Sequence, residues 1–403
     1  MKKLYMQKNE NIALKILFWG MLAELLVFIP EQISTVCKIL FIAFALVNIV
    51  KDDFLIRFGK VERTLFSVII LFSTVTLLFN CFSIGALLAV GQLLVINFLL
   101  LAQDKAKMRE SFVVFLNRLE KIVFCGIVYS SFLLVFGKKA FIDGKWINYF
   151  ISPAFGQVGH GMQDNLGYSS YFTNPNPFSF FIAVIIAWRV INYRRSAKWW
   201  IAFVIYILGL QIADSRAGDI CAIIGIIIVI CWRLDNRKVR KLITVGSIML
   251  GLIYVIVAGE QMVKMLLNID LAGRLEKWNL LLNAFNKSPL IGNGYSSSTK
   301  VILKGVSTGT FSSYLTIAAE EGIIGLIAAF VAYTTIVVKL KKSSQNLDNL
   351  LAIFAFVYAV QIGVLGIVED VLFNVTSRFL ILEIVAKIAL DSPRSLMRSN
   401  DMG

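Results

Sequence analysis

The sequence predicts an all-α fold, a polytopic bundle of about twelve transmembrane helices with two large extracytoplasmic loops. Hydrophobic residues make up 58% of the chain and charged residues only 16%, whereas a soluble domain carries about 25% charged residues. The mean hydropathy is +0.77. Apolar runs long enough to cross a bilayer recur along all 403 residues. We therefore interpret residues 1–403 as a single membrane domain.

The predicted spans follow from apolar runs of about 17 residues or more. They lie at residues 12–30, 33–50, 64–81, 83–102, 120–136, 177–192, 199–213, 217–232, 242–258, 311–338, 349–367 and 371–390. The resulting order is N-terminal helices (1–136), an outer loop (137–176), middle helices (177–258), a large outer loop (259–310) and C-terminal helices (311–403). No cleavable signal peptide is expected, because no small-residue cleavage site follows the first apolar run.

The net charge of +15 is explained by topology. Lysine and arginine cluster in alternate connections, at residues 2–15, 51–63, 105–121, 189–198, 233–241, 339–342 and 394–398. If the spans alternate, these connections share one side, which the positive-inside rule makes cytoplasmic. Both termini are then cytoplasmic, and the basic excess needs no nucleic acid partner.

Metal or redox chemistry is not indicated. The five cysteines lie in or at the ends of apolar runs without metal-type spacing, and His160 is the only histidine in the sequence. We interpret the cysteines as small hydrophobic residues and expect neither a metal nor another cofactor.

The two sides of the membrane differ in their connections. On the cytoplasmic side, residues 103–121 predict an interfacial helix with a basic face. On the outer side, tight turns near 31, 82 and 368–370 contrast with the long loops 137–176 and 259–310. Loops of that length are usually functional. The stretch DSRAGD (214–219) also falls on this side, so we expect function at the outer leaflet.

The second outer loop contains a predicted amphipathic helix, LAGRLEKWNLLLNAF (271–285). Arg274 and Trp278 are four residues apart and so share one side of it. A guanidinium beside an indole suits a cation–π pair, or a sugar ring stacked near an anion. Pro289, Gly292 and Gly294 then predict a turn whose backbone approaches a partner closely. The alternative is an amphipathic loop helix with a purely structural turn.

Carboxylates interrupt two apolar regions. Glu320 and Glu321 lie within the 311–338 span, and an acidic residue at membrane depth is a functional candidate because its burial is costly. Alternatively, the first turns of this helix stand clear of the bilayer and both glutamates are hydrated. At the last outer turn, Glu369, Asp370 and Arg378 predict a local ion pair.

These segments together resemble the O-antigen polymerase and O-antigen ligase superfamily, over roughly residues 150–330. The matching pieces are Ser215-Arg216-Ala217-Gly218, Gly273-Arg274 with Trp278, Pro289-Leu290 with Gly292 and Gly294, Tyr314-Leu315 with Glu320, Gly322 and Gly325, and the asparagine–proline stretch YFTNPNPFSFF (171–181). Each piece is weak alone, but the order of the pieces and their common outer location make the resemblance specific.

The resemblance implies a bacterial glycosyltransferase of the cytoplasmic (inner) membrane, with its active site on the extracytoplasmic face. It would polymerise polyprenyl-diphosphate-linked oligosaccharide repeat units, such as those on undecaprenyl diphosphate, into O-antigen, capsule or exopolysaccharide. No nucleotide sugar or metal is implied. The expected partners are this lipid-linked donor and acceptor, the lipid bilayer, and chain-length regulator and flippase proteins.

The chemistry of the residues fits this reaction. Arg216 and Arg274, from different outer elements, could together clamp the diphosphate leaving group with their planar forks. For the acceptor proton Glu320 is the first candidate, and Asp219, Asp214, Asp164 and His160 stay open. The remaining predicted substrate-binding residues are Trp278, Gly292, Gly294, Tyr314, Asp219 and Asn176.

Two departures from the family pattern bear on the choice of reaction. Arg-Ala-Gly stands where family members often have Arg-Gly-Ala, and Ser312 and Ser313 stand where ligases place His-Asn. The missing histidine weakens the ligase alternative, which would move a finished glycan to another acceptor. A transporter or flippase of lipid-linked oligosaccharide is a further alternative, although it should carry ionisable residues at mid-membrane and related halves. A scaffold subunit of an assembly complex also stays open.

Overall fold

The fold is described from a computed structural model. It covers residues 11–26, 29–51, 59–79, 84–136, 139–142, 145–148, 157–160, 170, 172, 175–193, 195–234, 274–295, 297, 312–345 and 349–390. The predicted span 242–258, the candidate Asp164 and most of the loop 259–310 lie outside the described residues.

The described part of the chain contains twelve helices. They are α1 (Ile12–Leu25), α2 (Glu31–Lys51), α3 (Lys60–Phe79), α4 (Ile84–Ala102), α5 (Lys105–Phe136), α6 (Pro175–Ile191), α7 (Ala197–Ala213), α8 (Arg216–Arg233), α9 (Arg274–Lys287), α10 (Ser313–Ser343), α11 (Leu350–Leu365) and α12 (Ser377–Leu390). Eleven of these overlap a predicted span, and α9 is the predicted loop helix.

The structure is that of a helical membrane protein, while the number of spans stays a prediction. Within the described ranges, α10 is long and apolar enough to cross a membrane alone, with a hydropathy of 2.2. The helices Leu87–Ala102 and Lys105–Phe132 meet at a bend of 106°, and together they are long and apolar enough to form one further span. Four shorter apolar helices accompany them.

The segment 103–121 is helical from Lys105, as predicted, but it is not a helix of its own, and its interfacial position stays a prediction. The backbone N–H of Lys107 donates to the Asp104 carboxylate at 2.9 Å, which caps α5. From Lys105 the helix continues for 32 residues to Phe136. No proline interrupts this stretch, so the basic segment and the following apolar run share one helix.

The first long loop, residues 137–176, contains three strands that were not predicted from the sequence. The strands β1 (Lys139–Ile142), β2 (Lys145–Asn148) and β3 (Gln157–His160) form an antiparallel sheet in that order. Ile142 pairs with Lys145 across the first connection. Asp143-Gly144, a dipeptide typical of two-residue hairpins, was the available sequence signal.

The bundle has a buried centre and an apolar periphery. Most of α6, α11 and α12 is buried. By contrast, the most apolar window of α10 is only 28% buried, and Ile327, Phe330 and Val331 are exposed on its surface. Such a continuous apolar surface is suited to contact with lipid.

Helix ends meet at two poles. At the basic pole, the Asn11 amide donates to the Gln103 side chain at 2.9 Å, Lys387 donates to the Gln103 carbonyl at 2.7 Å, and Ser343 donates to the Ala389 carbonyl at 2.9 Å. The first turns of α6, α8, α10 and α12 lie at the other end, which we call the motif pole because Asn176 and Ser215 lie there. Which pole faces which side of the membrane stays a prediction.

The long helix α10 is broken at Gly322, where φ is 65° and ψ is −167°. Residues 289–294 fill the break, and we call this arrangement the interlock. Four backbone hydrogen bonds build it: Asn293 N–H to the Ala319 carbonyl (3.0 Å), Gly294 N–H to the Glu320 carbonyl (2.6 Å), Ile323 N–H to the Pro289 carbonyl (2.8 Å) and Ile324 N–H to the Leu290 carbonyl (3.3 Å). The backbone groups freed by the break are thereby satisfied.

Two glycines make the interlock possible. Gly292 has φ of 71°, and a Cβ there would lie 2.3 Å from the carbonyl carbon and oxygen of Glu320. Gly322, with φ of 65°, would place a Cβ 2.3 Å from the Leu290 carbonyl oxygen. The turn predicted at 289–294 is therefore confirmed, and its close partner is the backbone of α10.

Replacing Gly292 by alanine should open the interlock. The clash with Glu320 and the left-handed backbone together should cost about 1–3 kcal/mol or more of folding free energy. We expect a lower midpoint of thermal unfolding in detergent micelles. The matched control is Gly91→Ala, since a Cβ at Gly91 meets nothing within 4 Å. Equal midpoints for the two variants would contradict the interlock.

Candidate functional site

A polar network joins three separate segments at the motif pole. The Ser215 hydroxyl donates to the Asn176 side-chain carbonyl at 2.8 Å. The Asn176 amide donates to Glu369 Oε1 at 2.7 Å, and Glu369 Oε2 lies 3.7 Å from an Arg378 guanidinium nitrogen. We call these four residues the outer network. It links the first turn of α6 and the N-cap of α8 to the start of α12.

Ser313 holds the turn that carries Glu369. Its hydroxyl accepts the backbone N–H groups of Val371 (2.7 Å) and Leu372 (3.0 Å) and donates to the Glu369 carbonyl at 3.0 Å. Its own N–H donates to the Gly366 carbonyl at 2.8 Å. The side chain is fully buried, so this position has a structural role in the outer turn.

Arg216 is presented at the motif pole by two special backbone positions. Asp214 ends α7 in the left-handed region, with φ of 47°. Ser215 is extended and serves as the N-cap residue, and Arg216 is the first residue of α8. The Arg216 side chain is exposed. Among the described residues, Arg216 has no hydrogen-bond or ion-pair partner, and Asp219 does not form an ion pair with it.

The glycine of the SRAG motif serves packing. A Cβ at Gly218 would lie 2.3 Å from the Ser179 Cβ of α6. This close approach lets α8 cross α6 near their first turns, which brings Ser215 within reach of Asn176. Gly218 therefore explains in part why the outer network can form.

Glu320 and Glu321 are buried, so the alternative in which both are hydrated is wrong. Their exposed fractions are 5% and 1%. Both carboxylate oxygens of Glu321 lack a hydrogen-bond partner in the part of the chain that the structure describes. The interlock covers this region, because Gly294 binds the Glu320 carbonyl.

Tyr295 belongs to the same region and was not predicted. Its backbone N–H donates to the Thr76 hydroxyl of α3 at 2.8 Å. The pKa of its hydroxyl is raised, first by burial and then by the negative charges of Glu320, Asp370 and Glu321. Tyr295 thus lies among carboxylates from α10 and from the outer turn. The signal in the sequence was that Tyr295 follows Asn293 of the interlock by two residues.

The helix α9 carries Arg274 as its first residue and the half-buried Trp278 one turn later. The Arg274 side chain lies outside the described residues, so its approach to Arg216 stays a prediction. The Asn293 amide donates to the Ala284 carbonyl (3.1 Å) and to the Ala319 carbonyl (2.8 Å). It thereby fastens α9 to α10.

Other predicted residues are placed as follows. The Tyr314 hydroxyl donates to the Gly363 carbonyl at 2.9 Å, which joins α10 to α11. His160 ends β3, and its side chain lies outside the described residues. The ion pair predicted between Glu369 and Arg378 is confirmed, but its extension to Asn176 was missed. Among the described residues, no three His, Cys, Asp or Glu side chains are grouped to hold a metal ion.

Comparison with known proteins bears on the same region. Residues 201–331 match a family model described as O-antigen ligase, which supports the O-antigen polymerase and ligase superfamily expected from the motifs. One similar solved chain belongs to a study described as "Structural coordination of polymerization and crosslinking by a peptidoglycan synthase complex". It is 13% identical, has a TM-score of 0.40, and the match covers 83% of this chain and 97% of that chain. No curated protein matches the chain.

The outer network predicts energetic coupling between Asn176 and Glu369. Asn176→Ala or Glu369→Ala should each destabilise the protein by about 1–3 kcal/mol, because each leaves polar groups unpaired. Because the two side chains bond each other, the double variant should lose less than the sum. Unfolding of all four proteins in mixed micelles measures this.

The control for this cycle is Asn192→Ala. The Asn192 amide, just after the end of α6, donates to the Trp188 carbonyl of that helix, its single hydrogen-bond partner among the described residues. Combined with Glu369→Ala it should give additive losses. Additive losses for the Asn176 pair as well would contradict the network.

Proposed function

We propose that this protein polymerises polyprenyl-diphosphate-linked oligosaccharide repeat units at the outer leaflet of the bacterial cytoplasmic membrane. The observation that carries the proposal is the exposed Arg216 guanidinium, which has no partner among the described residues and stands at the N-terminus of α8 inside the family-matched segment. The positive end of the helix dipole adds to its charge there. The Arg216 guanidinium and the helix dipole together favour binding of an anion such as a diphosphate.

The leaving group explains the need for arginine. As the glycosidic bond to the diphosphate breaks, negative charge develops on the phosphate oxygens. A guanidinium binds two such oxygens at once, with about 1.5–3 kcal/mol for each hydrogen bond to a charged group. Arg274, at the start of α9, is the proposed second half of the clamp. This pairing gives the reaction its charge stabilisation without a metal.

The acceptor side of the reaction uses Glu320. The acceptor hydroxyl oxygen attacks the anomeric carbon, the bond from that carbon to the diphosphate oxygen breaks, and the hydroxyl proton passes to the carboxylate. Glu320 is buried beside the interlock, and a carboxylate is a chemically suitable acceptor for that proton. The nearby Tyr295 hydroxyl is a further group able to hydrogen-bond a sugar.

The serines at positions 312 and 313 favour a polymerase over a ligase. Ser312 caps α10, and its hydroxyl accepts the Leu315 N–H at 3.4 Å. Ser313 is the fully buried residue that holds the outer turn. Both positions therefore have structural roles, and neither offers the imidazole that the ligase pattern places there.

A transporter or flippase for the same lipid-linked material is the second candidate. The buried Glu383 of α12, whose two oxygens lack hydrogen-bond partners in the described ranges, is the observation that favours it, since such a group within a span is typical of transport pathways. Against a transporter, the described motif residues lie at the motif pole and not in the middle of the bundle.

Chain-length regulator and flippase proteins are proposed as partners of the polymerase.

The proposed reaction is tested by incubating purified protein with a lipid-diphosphate repeat unit and separating the products on a gel. A ladder of increasing length supports the polymerase. One shifted band on a second acceptor means a ligase, and unchanged substrate that crosses a vesicle membrane means a transporter.

Arg216→Lys and Arg274→Lys should each abolish the ladder while the proteins insert at normal levels. Lysine keeps the charge but lacks the planar fork, so a bidentate phosphate contact is lost. The control is Arg195→Lys, because Arg195 is exposed and lies in the basic connection 189–198. Long chains from both site variants would show that no clamp exists.

Glu320→Gln should strongly reduce the ladder without unfolding the protein, because the amide cannot take the acceptor proton. Glu321→Gln should keep the ladder, since the Glu321 carboxylate has no hydrogen bond to lose among the described residues. Initial rates and unfolding midpoints are compared for both variants. Full activity of Glu320→Gln would remove it as the base.

A further inference from the structure

We propose that α9 and residues 288–294 rest in the outer leaflet of the bilayer, with an apolar edge directed at the lipid acyl chains. We call this unit the interfacial hairpin. The inference concerns the position of the loop in the membrane, and it holds whether or not the protein is a polymerase.

The helix α9 presents three different sides. Leu281 is fully buried against the rest of the protein, and α9 packs on α10. The exposed residues Asn279, Asn283 and Asn286 are spaced three and four apart, so they form one polar side. Trp278, Leu282 and Phe285 have the same spacing and form an apolar edge between the packed and polar sides.

The apolar edge is accessible at its centre. Leu282 is 43% exposed, while Trp278 and Phe285 are half-buried. A helix with a polar side, an apolar edge and a tryptophan is typical of segments that lie in the membrane interface. In water, the same edge would be an unfavourable apolar surface.

The exposed surface continues from the hairpin onto α10. Leu290 is 63% exposed, and its carbonyl accepts the Ile324 N–H at 3.3 Å. Leu290 therefore lies at the same depth as Ile324. Ile324 and Ile327 are both exposed on α10, whose apolar window is mostly unburied. The lipid-facing surface of a membrane helix thus extends without interruption to Leu290.

The length of α10 sets the depth of the hairpin. Lys339, Lys341 and Lys342 mark the end of the helix at the basic pole. The hydrocarbon core is crossed by about 20 helical residues, so counting back from Lys339 reaches the region of Glu320 and Gly322. The interlock then lies at the outer boundary of the hydrocarbon core, where an interfacial helix is stable.

This position has a consequence for the site. Arg274 is one turn before Trp278 on α9, which brings it to the depth of lipid headgroups. A diphosphate linked to a membrane-anchored lipid lies at that depth too. The hairpin would therefore bring the reacting group and α9 together without lifting the lipid out of the bilayer.

Photo-crosslinking to lipid tests the hairpin. Benzoylphenylalanine replaces Leu282 or Leu290 in the full-length protein, which is reconstituted into vesicles of phospholipid with alkyne-tagged acyl chains. Asn283 and Asn286, on the polar side, are the matched control positions, and Phe330 in the lipid-facing part of α10 is the positive control. After irradiation, protein-bound tag is measured on a gel.

We expect adducts at Leu282 and Leu290 to approach those at Phe330 and to exceed those at Asn283 and Asn286 several-fold. Equal, low labelling at all four loop positions would overturn the proposal, because the loop would then lie in water. Crosslinks from Leu282 or Leu290 into protein instead of lipid would also overturn it, since another segment or partner would cover the edge.

Discussion

The break in α10 is the feature on which the rest of the site depends. A helix that crosses a bilayer must satisfy its own backbone hydrogen bonds, because no water is available there to replace them. At Gly322 this pattern fails, and the backbone of residues 289–294 supplies the missing partners. Residues 289–294 are therefore held next to Glu320. Discontinuous helices of this kind are tolerated in membranes where neighbouring protein satisfies the freed groups.

The outer network performs a related task with side chains. Ser215, Asn176, Glu369 and Arg378 come from four positions along the chain and are joined by two hydrogen bonds and an ion pair. The network fixes the N-terminus of α8 and so the point from which Arg216 extends. The interlock fixes α9 and Glu320. Together they would hold Arg216, α9 and Glu320 in the fixed arrangement around a lipid diphosphate that preorganised electrostatic stabilisation requires.

Much of the fold could be predicted from sequence, because long apolar runs have few alternatives in a membrane. The loop helix, predicted at 271–285 and observed at Arg274–Lys287, and the turn at 289–294 were predictable because amphipathic spacing, proline and glycine act locally. The partners of these elements were not. Asn176 and Glu369 are 193 residues apart, and no local pattern indicates which distant carboxylate an asparagine binds. The extent of the helix predicted at 103–121 was missed for another reason, since an amphipathic segment and an apolar span look separate in hydropathy even where one helix, capped by Asp104, contains both.

The proposed clamp requires that Arg216 and Arg274 bind one diphosphate at the outer leaflet. Calorimetric titration of the purified protein with polyprenyl diphosphate and with polyprenyl monophosphate tests it most directly. We expect the protein to prefer the diphosphate, and we expect Arg216→Lys and Arg274→Lys each to remove this preference while monophosphate binding changes little. Equal affinity for the two lipids, or an unchanged preference in both variants, would contradict it.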